Sequence, residues 1–169
     1  MKKLFFLSTL SVLMFTSCKK DEDCKSLPPT TVASAAETAY LQDYLTTNSI
    51  TASEKNGMFY TISTQGTATS PNQCSTIGLT YSGNLITGTT DGGVFDATPA
   101  GQKSTFTLSG LIAGWRIIFP LVKAGGKVTL YIPPSLAYGA RETPSRPPFV
   151  GIPANSYLKF TVSLIDVQD

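Results

Sequence analysis

Histidine is absent from all 169 residues, and only three cysteines and one tryptophan occur. Without histidine a Ser-His-Asp or Cys-His nucleophile cannot be assembled, and zinc sites built on imidazole are excluded. Charge is also scarce, at 14% of residues, and no clustered basic surface is available to neutralise phosphates, so the reading excludes a nucleic-acid partner. Glycine pairs occur without a Walker or dinucleotide fingerprint around them, so nucleotide-dependent chemistry has no support. The leading apolar run, Leu4 to Phe15, is well short of the roughly 20 residues a membrane-spanning helix needs.

What stands around that run is informative. Lys2 and Lys3 precede it, the small residues Thr16 and Ser17 follow it, and Cys18 comes next. This order predicts a secretory signal over residues 1–17. Phe-Thr-Ser-Cys resembles a bacterial lipobox, which implies lipidation of Cys18 as the first mature residue; cleavage that leaves a plain thiol is the alternative. Removing two of the 13 basic residues with the signal leaves 11 against 11 acidic ones, so the mature chain is near neutral. Lys19 to Asp23, KKDED, opens a polar tether over residues 18–33 and is similar to clusters that send some bacterial lipoproteins to the outer face of the outer membrane. The expected location is therefore the bacterial cell envelope, lipid-anchored to the outer membrane, on its periplasmic or surface face. With Cys18 used, Cys24 and Cys74 remain as an even pair in an oxidising compartment, where a disulfide is permitted and two free thiols are the alternative.

Beyond the tether, Ala36, Tyr40, Leu41, Tyr44 and Leu45 recur at helical spacing, and Ser34 with Glu37 makes a capping box. This predicts an N-terminal helix over residues 34–48 that either packs on the following domain or pairs with another copy. From residue 55 to 169 the pattern changes to period two. Met58, Tyr60 and Ile62 alternate after an Asn56-Gly57 turn; Ile77, Leu79 and Tyr81 form a strand ending at Ser82-Gly83-Asn84. Asp91-Gly92-Gly93 reads as a turn before Val94-Phe95-Asp96, and Phe106 and Leu108 share a strand face. Trp115, Ile118, Phe119 and Val122 lie on one helical stripe that Pro120 keeps short. Val128, Leu130 and Ile132, then Leu158, Phe160, Val162 and Leu164, resume alternation. Many strands and one short helix predict an α+β fold, a curled antiparallel sheet wrapped around that helix.

Five motifs in fixed order, LTYSG, VFD, GLIAGW, IPPSLAYGA and IPANSYLKFTVSLIDV, resemble the FKBP-type peptidyl-prolyl isomerases over roughly the last 110 residues. Taken singly, the aromatic residues among them read as core packing. The resemblance implies instead a shallow apolar cup for a prolyl ring. Trp115 would be its floor, Tyr81, Phe95 and Phe160 its walls, and Leu111 and Ile112 the helix edge, with the Ile112 amide facing a substrate carbonyl. Tyr138 would offer its hydroxyl to a second carbonyl, Asp96 would stand near Tyr81 at the polar rim, and Phe106 and Ile152 complete the set. Phe95 is expected to be a partly open wall, inexpensive to truncate.

The implied reaction needs neither cofactor nor metal. Isomerisation of an X-Pro bond breaks no bond, and its barrier of roughly 18–20 kcal/mol is amide resonance. The implied partners are proline-containing, unfolded or partly folded polypeptides, macrolides such as tacrolimus, and the membrane through the lipid alone. A peptide-binding chaperone or adhesion module with little turnover is the alternative on the same fold; an inert structural lipoprotein leaves the motif residues unexplained. Two departures bear on the choice. Ser104 stands where the family often has an aromatic, which would leave one wall open, and the segment RETPSRPPFVG before Ile152 is long and proline-rich, so Phe149 is a candidate replacement.

Overall fold

The computed structural model describes residues 24–169, so the expected signal over 1–17, Cys18 and the cluster at 19–23 lie outside the described residues. Along the chain come α1 (Ala35–Thr47), β1 (Ser53–Lys55), β2 (Met58–Thr64), β3 (Thr76–Thr87), β4 (Thr90–Ala97), β5 (Ser104–Thr107), α2 (Ala113–Ile118), β6 (Lys127–Ile132) and β7 (Tyr157–Gln168). Single 3-10 turns lie at Leu108–Gly110, Phe119–Leu121 and Pro134–Leu136. All strands join one antiparallel sheet in the order β1-β2-β6-β7-β3-β4, and β5 pairs with the first residues of β3. This is the α+β arrangement the alternation predicts.

Period-two side chains give the sheet two apolar faces. On one, Val128, Leu130 and Ile132 of β6, Leu158, Phe160, Val162 and Leu164 of β7, and Ile77 and Leu79 of β3 pack with Trp115, Ile117 and Ile118 of α2. On the other, Phe59, Ile86 and Tyr131 receive Leu41, Tyr44 and Leu45 of α1. Each of those fully buried leucines stabilises the docked helix by roughly 1.5–3 kcal/mol. The described contacts of α1 are therefore those of a helix packed on its own domain. Its polar contacts agree: the Tyr44 hydroxyl donates to Asp91 Oδ1 at 2.6 Å, Lys159 Nζ meets Asp91 Oδ2 at 2.7 Å, and Tyr40 stacks on Tyr157 with centroids 3.9 Å apart.

Four local expectations are corrected. The helical stripe through Val122 breaks at Ile118, because Pro120 lacks the N–H that an α-helix requires and the chain tightens into a 3-10 turn, leaving Val122 extended. Ser82-Gly83-Asn84 does not end a strand: β3 runs on to Thr87, with an irregularity between Gly83 and Asn84. Asp91-Gly92-Gly93 lies inside β4, and the reversal occurs earlier at Gly88, whose φ is +60°. A Cβ on Gly93 would come within 2.9 Å of Val150, so that glycine admits a packed loop and makes no turn.

The fourth concerns the tether, which is bound to the domain from Cys24 onward. Cys24 and Cys74 are joined by a disulfide with Cα atoms 5.6 Å apart. Arg116 Nη2 donates to the Leu27 carbonyl at 2.8 Å, Asn56 Nδ2 to the Thr31 carbonyl at 2.9 Å, and the Ala33 N–H to the Asn56 carbonyl at 3.0 Å. Only the five residues 19–23 separate Cys18 from this strapped segment, an extended reach of about 20 Å. Among the described residues no helix is long and apolar enough to cross a membrane.

Candidate active site

The sheet brings the motif aromatics together because β3, β4 and β7 are neighbours: Gly83 of β3 pairs with Phe160 of β7 on one side and with Asp96 of β4 on the other. Helix α2 packs against the same sheet face and presents Trp115. A cavity of about 110 Å³ results, lined by Tyr81, Asp96, Phe106, Leu111, Ile112, Trp115, Tyr138 and Phe160. Trp115 is the floor, 4% exposed, with Tyr81 edge-on at 5.7 Å, Phe160 edge-on at 5.1 Å and Phe119 stacked beneath at 4.9 Å. These edge-to-face contacts, each typically about 0.5–1.5 kcal/mol beyond burial, fix the floor before any ligand arrives. The Trp115 indole N–H is buried without a partner among the described residues.

Phe95 and Ile152, expected in the cup, line a second cavity of about 260 Å³ beside it, with Asp96, Tyr138, Thr143, Pro144, Arg146 and Phe149. The two cavities share Asp96 and Tyr138, and each of the ten expected residues lines one or both of them. Phe95 is no open wall. It is 8% exposed, belongs to the main core and meets Phe160 edge-on at 5.3 Å, so truncating it carries the cost of a core substitution. Ser104 is not among the residues that line the cup, and its hydroxyl is paired with that of Thr98 at 2.9 Å. Phe149 lines the second cavity and is not among the residues that line the cup.

Besides the Trp115 indole N–H, two donors at the cup have no protein acceptor among the described residues. The neighbouring Leu111 N–H is taken by the Leu108 carbonyl at 3.1 Å, whereas neither the Ile112 N–H nor the Tyr138 hydroxyl donates to any protein acceptor among the described residues. Ile112 owes this to its place as the residue before α2, where backbone donors have no helical acceptor. Burial, with the charge of Asp96 behind it, pushes the Tyr138 phenol above its ordinary pKa, so it remains a donor at neutral pH. Tyr81 is different: its hydroxyl is committed to Asp96 Oδ2 at 2.5 Å.

Comparison with known proteins places the chain in a family. Residues 67–165 match the family model described as FKBP-type peptidyl-prolyl cis-trans isomerase. The chain belongs to that family. FkpA of Escherichia coli strain K12, an FKBP-type peptidyl-prolyl cis-trans isomerase, is 39% identical over 113 residues, 66% of this chain and 38% of its own length. The outer membrane protein MIP of Legionella longbeachae is 37% identical over 116 residues, 67% of this chain and 45% of its own. The crystal structure of Escherichia coli FkpA superposes with a TM-score of 0.63 at 33% identity, covering 79% of this chain and 60% of that one. The chain thus spans about two fifths of the length of these curated relatives.

Within the FKBP framework some residues of the site escape sequence reading. Thr143, Pro144 and Arg146 border the second cavity from a loop without periodicity. Gly83 matters more: a Cβ there would lie 2.6 Å from the Phe95 ring and 2.9 Å from the Phe160 ring. Its place between Ser82 and Asn84 looks like turn chemistry, which masks its packing role.

Proposed function

We propose that this chain is a peptidyl-prolyl cis-trans isomerase of the bacterial envelope, acting on proline-containing segments of unfolded or partly folded exported proteins. The observation that carries the reading is the indole-floored cup with two uncommitted donors at its edge. A prolyl ring seated on Trp115 would direct its flanking carbonyls to the Ile112 N–H and the Tyr138 hydroxyl. As the X-Pro bond twists, resonance is lost and the carbonyl becomes less polar, so a water-poor apolar surround favours the twisted amide over the planar one. Tyr81, Phe106 and Phe160 supply that surround, and Asp96 holds the Tyr81 ring by its hydroxyl. A million-fold acceleration requires about 8 kcal/mol from these effects together.

The envelope setting rests on the signal-like residues 1–17 and the lipobox-like Cys18, with the outer membrane name of the MIP relative in support. A second reading, a peptide-binding module with little turnover, is favoured by one feature, the wider cavity lined in part by Phe149 and Arg146, which extends the bindable surface beyond a prolyl ring. Macrolides such as tacrolimus are candidate occupants of the cup under either reading. An isomerisation assay on X-Pro tetrapeptides separates the two. Acceleration that a macrolide abolishes supports the enzyme; macrolide binding without acceleration overturns it in favour of the binding module.

A further inference from the structure

Helix α1 lies outside the family-matched residues 67–165, yet one of its side chains reaches the segment that carries Tyr138. Glu37, the third residue of α1, closes the capping box by accepting the Ser34 N–H and hydroxyl at 2.9 Å each. The same carboxylate extends past its own helix. Its Oε1 accepts the Ser135 N–H at 2.9 Å and its Oε2 accepts the Ser135 hydroxyl at 3.0 Å.

Ser135 belongs to the 3-10 turn Pro134–Leu136. Pro134 has no N–H, so Ser135 carries the first amide of that turn, a donor without a partner inside it. Glu37 caps the turn from another element. Beyond Ser135 the chain wraps the Pro134 carbonyl, which accepts the Ala137 N–H at 3.0 Å and the Gly139 N–H at 2.9 Å, with Tyr138 between them. The far end is held by Asn155, whose N–H donates to the Gly139 carbonyl at 2.7 Å. The segment bearing Tyr138 is thus fixed at one end by Asn155 and at the other by Glu37.

We propose that Glu37 is a positioning residue of the isomerase site, holding the 134–139 segment so that the Tyr138 hydroxyl meets a substrate carbonyl, which rests on Tyr138 being a substrate donor as read above. Burial resists ionisation of Glu37, but the hydrogen bonds from Ser34 and Ser135 outweigh it and hold the carboxyl below its ordinary 4.5. It is charged at neutral pH. Because α1 is seated by Leu41, Tyr44 and Leu45, removing the carboxylate frees Ser135 without releasing the helix.

The test uses the full mature chain, Glu37→Ala and Glu37→Gln, each alone and combined with Tyr138→Phe, with an X-Pro tetrapeptide as substrate. Glu37→Ala should raise KM about threefold to tenfold at nearly constant kcat, the loss of uniform binding, and should add nothing once the Tyr138 hydroxyl is gone. Glu37→Gln keeps the side-chain length and one acceptor, and should shift KM in the same direction by less. Hydrogen exchange at the Ala137 and Gly139 amides should quicken in Glu37→Ala while Phe59 and Tyr131, under α1, keep their protection. An unchanged KM, an equal factor in the Tyr138→Phe background, or unaltered exchange at Ala137 and Gly139 would overturn the proposal. If Tyr138→Phe itself leaves KM unchanged, the role of Tyr138 as donor fails, and exchange still decides whether Glu37 holds the segment.

Discussion

The Tyr81 hydroxyl donates to Asp96 Oδ2 at 2.5 Å, tying β3 to β4 at the edge of the cup. Burial pushes the phenol above its ordinary pKa of 10.0, and the bond and charge of Asp96 push it the same way. A raised phenol pKa keeps Tyr81 protonated through neutral and mildly alkaline pH. The pH–rate profile should therefore show no limb from Tyr81 between pH 7 and the ordinary 10.0. Tyr81→Phe should cost about 1 kcal/mol of stability for the lost hydrogen bond and lower kcat/KM severalfold as the ring loosens. A limb below pH 10.0 that disappears in Tyr81→Phe would refute the neutral-phenol reading.

Tyr138 and Phe95 should fail differently. Tyr138→Phe removes an uncommitted hydroxyl at a residue 37% exposed, so folding stability should hold and KM should rise with kcat little changed. Phe95→Ala opens the main core and should cost about 3–5 kcal/mol, which would confuse activity with unfolding. Phe95→Leu is the cleaner probe: it keeps apolar volume, loses the edge-on contact with Phe160, and should lower kcat more than it raises KM. Melting curves beside steady-state kinetics check both. The same kinetic split in the two variants would mean that the cup and its rim do not act separately.

The Cys24–Cys74 disulfide closes a separation of 50 residues, and in the loop-entropy account a loop of that size is worth about 4 kcal/mol. Cys24→Ser with Cys74→Ser, or a reductant, should lower the midpoint of denaturation by a comparable amount. Neither cysteine lines the cup, so kcat/KM of the folded fraction should stay at the wild-type value. Thiol labelling of denatured, unreduced protein should find neither sulfur free. Labelling of both, or no shift on reduction, would count against a structural bond.

Much of the candidate site is legible because its residues fall in short runs of consecutive side chains. Trp115, Tyr138 and Asp96 each sit in a short motif, and the alternation of Leu158, Phe160, Val162 and Leu164 shows which face is apolar. The unread parts share a cause, which is distance along the chain. Glu37 and Ser135 lie 98 residues apart, and a capping box fully accounts for Glu37 in the sequence, so nothing marks its second pair of bonds. Gly92 and Gly93 look like a turn because their reason for being small, the approach of Leu85, Thr87 and Val150, is tertiary. Docking of residues 24–33 is hidden in the same way, because Arg116 and Asn56 bind the backbone of that segment and backbone acceptors leave no sequence signature.

Gly83 gives the sharpest test of how the sheet shapes the cup. Its φ is not positive, so backbone freedom does not demand glycine there. Space does. A methyl group would sit 2.6 and 2.7 Å from two atoms of the Phe95 ring and 2.9 Å from the Phe160 ring, closer than carbon atoms approach without displacement. Phe160 has Trp115 edge-on against it and Tyr81 nearby, so a displaced ring disturbs both the floor and a wall. Overpacking of this kind costs about 1–3 kcal/mol. Gly83→Ala should therefore fold with a lowered melting point and lose at least about tenfold in kcat/KM, the rate equivalent of about 1.4 kcal/mol. Gly88→Ala, at a position with positive φ and nothing within 4 Å of the added carbon, is the control: strain alone should lower its stability and leave kcat/KM unchanged. Full activity in Gly83→Ala would show that the Phe95 and Phe160 rings do not set the geometry of the reacting amide.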